Sequence, residues 1–161
     1  MRMPIFFVVL LALATPVAAQ RQSFGIFGRW GAFRQNGRCF AMAEPQKPPR
    51  AATIMPFASV GFWPNRGVWS QVHFRLSAQK RPGSAVLLRI DDRTFQLSAG
   101  RIDAWAGDAR ADADIVAAMR TGIEMTIETR SDRGALVRNH YPLRGAATAI
   151  DAAAIACARR R

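Results

Sequence analysis

Residues 69–79 alternate in character, with Val72, Phe74, Leu76 and Ala78 on one side and Gln71, His73, Arg75 and Ser77 on the other. A period of two puts successive side chains on opposite faces of an extended chain, so this stretch reads as a strand with one buried face. The same rhythm returns in Ile123, Met125 and Ile127 against Glu124, Thr126 and Glu128. Such strands need neighbours for their backbone groups and a second layer for their apolar face.

The neighbours are punctuated by turns. Residues 29–34 and 38–44 flank Gln35-Asn36-Gly37, and Asn-Gly between apolar-rich runs predicts a hairpin because both residues tolerate the positive φ of a type I′ turn. Residues 44–50 are a proline-rich loop, and a strand over 57–63 stops at Pro64-Asn65-Arg66-Gly67. Residues 86–90 and 94–97 form a second hairpin around Asp91-Asp92, and 102–105 a short strand. Ser131-Asp132-Arg133-Gly134 turns the chain into 135–143. One helix carries the stripe Ile115, Val116, Ala118 and Met119, with Asp112 or Asp114 as cap and Gly122 as stop. Residues 145–157 form an alanine-rich helix with Ile150, Ala153, Ala154 and Cys157 on one side. About eight short strands with two short helices, not interleaved, predict an antiparallel β-sandwich with peripheral helices.

Ahead of this domain, Arg2, the apolar run from Pro4 to Ala14, Pro16 and the small residues Val17-Ala18-Ala19 follow the order of a secretory leader. The expectation is a Sec-type signal peptide over 1–19, cleaved after Ala19, and a single periplasmic or secreted domain over 20–161 with no transmembrane anchor. In that compartment the two cysteines, Cys39 and Cys157, read as one structural disulfide.

The formal net charge is +12, carried almost wholly by arginine, since Lys47 and Lys80 are the only lysines. Such a chain is drawn to anionic surfaces such as phospholipid headgroups, lipopolysaccharide or polysaccharide. Residues 102–130 reverse the sign with Asp103, Asp108, Asp112, Asp114, Glu124 and Glu128, so charge pairing within the fold is expected.

Catalytic motifs are missing. His73 and His140 fall on outward strand positions, away from the clustered ligands a metal needs. Asp91-Asp92 lies in a turn, and the acids from Asp103 to Asp114 lack the spacing of a calcium loop. No nucleophile elbow, phosphate loop or dinucleotide fingerprint occurs. No catalytic residue, metal ligand or cofactor site is therefore predicted. An envelope hydrolase whose site assembles only in the fold stays as an alternative, as does an electrostatic binder of anionic envelope polymers.

Phe24, Phe27, Trp30 and Phe33 interleave with Arg21, Arg29 and Arg34. Two readings fit. Arg29, Arg34, Trp30, Phe24 and Phe27 can form a binding surface that stacks and attracts its ligand. Alternatively Trp30 and Phe33 are core, with Phe24 and Phe27 covering an edge. Export makes nucleic acid an unexpected natural ligand on either reading.

The leader, Phe27-Gly28-Arg29-Trp30 with Cys39 soon after, and Ile115-Val116-Ala117-Ala118-Met119-Arg120-Thr121-Gly122 resemble the invasion-associated locus B family of exported alphaproteobacterial proteins. Tyr141-Pro142-Leu143-Arg144-Gly145-Ala146-Ala147-Thr148-Ala149-Ile150 is similar to that family's strand-into-helix ending, so the chain resembles a divergent member. The resemblance implies an immunoglobulin-like β-sandwich. It also implies a non-enzymatic envelope or secreted protein with an envelope or cell-surface partner, linked by name with host-cell invasion.

Overall fold

The computed structural model describes residues 20–47 and 54–158; the expected leader over 1–19, part of the proline-rich loop and the arginine tail 159–161 lie outside them. Among the described residues the chain forms β1 (Gln22–Phe27), β2 (Trp30–Gln35), β3 (Arg38–Ala43), β4 (Phe57–Trp63), β5 (Val68–Arg75) and β6 (Val86–Ile90). There follow β7 (Arg93–Ala99), β8 (Asp103–Trp105), α1 (Ala109–Thr121), β9 (Glu124–Arg130), β10 (Leu136–Pro142) and α2 (Ala146–Ala158). Every neighbouring pair is antiparallel, in the order β1-β2-β3-β4-β5-β8-β7-β6-β9-β10. The fold class is the expected one, mainly antiparallel β with two short helices.

The sheet curls around one core. Trp30, Val60 and Phe74 from its first half join Leu88, Ile127 and Tyr141 from its second, with Ile115 of α1 and Ile150 of α2 between them. Hydrogen bonds tie its last strand to the first half: the Gln46 N–H donates to the His140 carbonyl at 2.8 Å, the Ser77 hydroxyl donates to Asn139 Oδ1 at 3.2 Å, and the Trp30 indole N–H reaches the Pro142 carbonyl. The sheet stays open, with β1 and β10 as its edges.

Local chemistry explains the turns. Asn36 and Gly37 have φ of 53° and 74°, and Gln35 pairs with Arg38, so the two-residue hairpin is as predicted. Asp91 has φ of 48° in the equally short turn between Ile90 and Arg93. Its carboxylate accepts the Ile123 and Glu124 N–H groups, tying that turn to the start of β9.

Three expectations need correction. The first helix is capped by Asp108, whose Oδ1 accepts the Ala111 N–H at 2.8 Å, instead of by Asp112 or Asp114. Ile123 is 80% exposed, because β9 begins one residue later and its alternation has not yet engaged the sheet. The strand over 69–79 ends at Arg75 and its alternation holds one residue further, to the buried Leu76, whose N–H bonds the Ile102 carbonyl; it then breaks, with Ser77 buried against Asn139 and Ala78 turned partly outward. The structure also adds β1, which a bulge between Ser23 and Gly25 had hidden from any simple period.

Helix α2 lies across the concave side of β1–β4. Its inward residues include Ala146, Ala149, Ala153 and Ala156, and the sheet beneath offers Ala32, Ala41, Ala43 and Ala58, all buried. Small side chains on both surfaces let helix and sheet approach closely. At the far end of α2, Cys157 is disulfide-bonded to Cys39 of β3, as expected, across a sequence separation of 118. At its near end the Trp30 indole N–H donates to the Pro142 carbonyl at 2.9 Å. Beside that bond Gly28 and Gly145, both at positive φ, bring the β1–β2 turn and the α2 entry backbone to backbone. A Cβ on Gly145 would collide with the Phe27 carbonyl, and one on Gly28 with the Arg144 carbonyl.

Two outcomes follow. Replacing both cysteines by serine should lower unfolding free energy by about 2–5 kcal/mol, the cost of freeing so long a loop, read from urea titrations with and without reductant. Gly145→Ala should cost about 3 kcal/mol or more, since positive φ and collision act together. Gly134→Ala, at φ 82° but with open space around it, should cost only about 1–2 kcal/mol.

Candidate functional site

The five residues proposed as a stacking surface do not form one. Trp30 is completely buried and spends its indole N–H on Pro142, so it is core. Phe24 and Phe27 pack half-buried against that core. Arg34 lies over the Phe24 ring at 5.1 Å and donates to the Ala156 carbonyl, satisfying the last turn of α2. Arg29 alone stands exposed, donating to the Gln46 carbonyl at 3.3 Å. Strand parity explains the outcome: Trp30, Ala32 and Arg34 share the concave side, where α2 lies.

The other side of the same strands carries a different set of groups. Cross-strand register aligns Phe33 with Phe40, and Gly31, Met42, Ser59, His73 and Trp105 in a row across β2, β3, β4, β5 and β8. Phe57, Arg75 and Asp103 form the next row. Both helices pack on the concave side, so this convex face is finished by its own side chains. Guanidinium groups roof the rings: Arg21 lies over Phe33 and Phe40 at 5.3 and 5.6 Å, Arg38 over Phe40 at 5.2 Å, and Arg75 over Phe57 at 5.2 Å. A shallow cavity of about 370 Å³ opens at one margin, between Arg21, Ile26, Arg29, Phe33 and Met42.

His73 is the most constrained polar group on this face. Its Nε2 lies 2.8 Å from Asp103 Oδ1, which also accepts from Arg75 Nε at 3.0 Å. The imidazole stacks on Trp105 at 5.3 Å with a 5° interplanar angle, and Phe57 meets it edge-on at 5.1 Å. Neighbouring Ser59 gives its hydroxyl proton to the His73 backbone carbonyl at 3.2 Å instead of engaging the ring, so serine, histidine and aspartate do not line up as a nucleophilic relay. His140 stands on the outer side of β10, 3.3 Å from the Thr126 hydroxyl and 3.8 Å from Glu124. Both imidazoles are therefore on open strand faces.

The acids of the middle segment are dispersed by the fold. Asp103 serves His73 and Arg75, Asp108 caps α1, and Asp112 accepts the Val72 N–H at 2.8 Å. Among the described residues no group of three or more His, Cys, Asp or Glu side chains is placed to hold a metal ion. Burial raises the Asp112 carboxyl above its ordinary value, the nearby Asp108 charge adds to this, and the Val72 hydrogen bond opposes it. Burial likewise raises the Tyr141 phenol, keeping it neutral in the core.

Sequence reasoning missed Arg21, Arg38, Phe57, Arg75 and Trp105 as members of one face. For three of them the available signal was parity: Phe57, Arg75 and Trp105, on β4, β5 and β8, share the side of His73 already assigned outward. Compared with known protein families, with curated proteins and with solved structures, the chain matches none of them. Among the described residues no helix is long and apolar enough to cross a membrane.

Asp112 gives a pH test. A carboxyl raised in the folded chain binds its proton more readily there than in the unfolded chain. Its contribution is therefore most favourable below the ordinary value of 3.8 and is lost as pH rises through the raised folded value. Asp112→Asn keeps an oxygen for the Val72 N–H and removes the titration. The variant should be more stable than the parent at neutral pH, with the difference shrinking on acidification, as read by urea unfolding across the acid range.

Proposed function

We propose that this chain is an exported interaction protein of the invasion-associated locus B type, acting without catalysis on an envelope or cell-surface partner. The observation that carries the reading is the convex face of β1–β5 and β8, where neither helix packs and where guanidinium groups are held above aromatic rings. Stacked arginines lose little further freedom on binding and present charge together with flat apolar surface, a composition favoured at interfaces. The leader pattern over 1–19 and the Cys39–Cys157 bond support an oxidising, extracytoplasmic setting. An envelope hydrolase finds less support, since it needs a deep pocket joining His73 or His140 to a nucleophile, and both stand on open faces.

A second reading, charge-driven binding of anionic envelope polymers, is favoured by the net charge of +12. The two differ in salt dependence, because a diffuse electrostatic contact is screened within about 10 Å at 0.1 M salt. Capture of envelope components on the immobilised chain should retain a discrete partner at moderate salt and lose it with Arg21→Ala/Arg75→Ala. Retention that vanishes with modest salt and ignores this double substitution would favour the polymer reading. Reproducible turnover in a hydrolase screen, with no partner recovered, would overturn both.

A further inference from the structure

At one end of the sheet four segments distant in sequence converge. Gln22 pairs with Arg34, and Cys39 pairs with Phe62, so the start of β1, the Asn36-Gly37 turn and the Pro64–Arg66 3₁₀ turn all meet there. The disulfide brings the end of α2 to the same place. Between them lie two adjoining cavities of about 460 and 570 Å³ that share Asn36, Gly37 and Asn65. Each falls in the size range of small-ligand sites, which are usually apolar. These are polar.

Their chemistry is one-sided. Carboxamides come from Gln20, Gln22, Gln35, Asn36 and Asn65, and guanidinium groups from Arg34, Arg38 and Arg66, while among the described residues no carboxylate lines either cavity. Arg34 is pre-positioned, held by the Ala156 carbonyl and the Phe24 ring. Trp63, lying over Gly61, supplies an aromatic wall. A bare phosphate needs donors alone. A carboxamide offers a donor and an acceptor on one rigid plane, the complement of neighbouring hydroxyl groups. Arginine adds bidentate recognition of a carboxylate, and an aromatic wall suits the apolar face of a sugar ring.

From this we propose that the groove beside the disulfide binds a short acidic oligosaccharide, the carboxamides and Trp63 reading the sugar and Arg38 and Arg66 its carboxylates. It goes beyond the interaction face above: apart from Arg38, which borders both, its lining lies at the sheet end, and it has a ligand class of its own. The disulfide has a second consequence here, since Cys157 forms part of the groove wall.

The test is calorimetric titration of the oxidised chain with a short oligogalacturonate. Maltohexaose serves as the uncharged sugar, and inorganic polyphosphate as charge without the sugar. The oligogalacturonate should bind at least roughly tenfold tighter than either comparator. Asn65→Ala/Arg66→Ala, on an exposed turn, should weaken it about tenfold or more with an unchanged unfolding midpoint. Arg138→Ala, on β10, and Arg21→Ala/Arg75→Ala, on the convex face, should leave it unaltered, which keeps this result independent of the interaction reading. Equal binding of maltohexaose removes the acidic requirement, and equal binding of polyphosphate, or equal loss in Arg138→Ala, reduces the effect to unselective charge. Failure to bind, or a groove variant that binds like the parent, overturns the site itself.

Discussion

The seating of α2 on the concave side of β1–β4 is the contact on which the other features depend. Alanine on both surfaces allows close approach, yet each alanine buries little apolar area, so the helix is held less by large side chains than by its ends. At one end Trp30 and the Gly28–Gly145 approach fasten the corner that leads into the helix. At the other, Cys39 and Cys157 join helix to strand, and Arg34 satisfies the terminal carbonyl of Ala156. First hairpin and last helix are thereby locked together although they are the most distant parts of the domain.

Filling the concave side with helices leaves the convex side to cover itself. It does so with arginine over aromatic rings, which places charge outermost while the rings shield the sheet. This accounts for how so basic a chain tolerates its own charge. The expected internal pairing is real but sparse: Asp103 with Arg75, Glu128 with Arg138 and Asp151 with Arg120. These pairs are partly exposed and contribute little to stability individually. Much of the arginine excess remains at the surface, and the interaction reading and the acidic-ligand groove both draw on it.

The disulfide couples the seating of α2 to the shape of the groove. The disulfide restrains the unfolded chain, pins α2, and brings the helix end to the groove formed with the Asn36-Gly37 turn and the Pro64–Arg66 turn. One covalent bond thus serves stability and the shape of a candidate site together.

What the sequence determined by itself was what short-range chemistry encodes. Period-two alternation marked Val72, Phe74, Met125 and Ile127 as inward and both histidines as outward. Asn36-Gly37 announced its own turn, and the alanine run from residue 145 announced α2. The tertiary structure alone decided which face of β2 turned inward, because Trp30 and Phe33 are equally apolar and only the position of α2 distinguishes them. It also chose Asp108 over Asp112 as helix cap, since Asp112 was needed by a strand forty residues earlier in the chain. The same holds for the glycine contact at residues 28 and 145 and for the groove: their partners are far apart in the chain, and local periodicity carries no record of which distant backbone will arrive beside it.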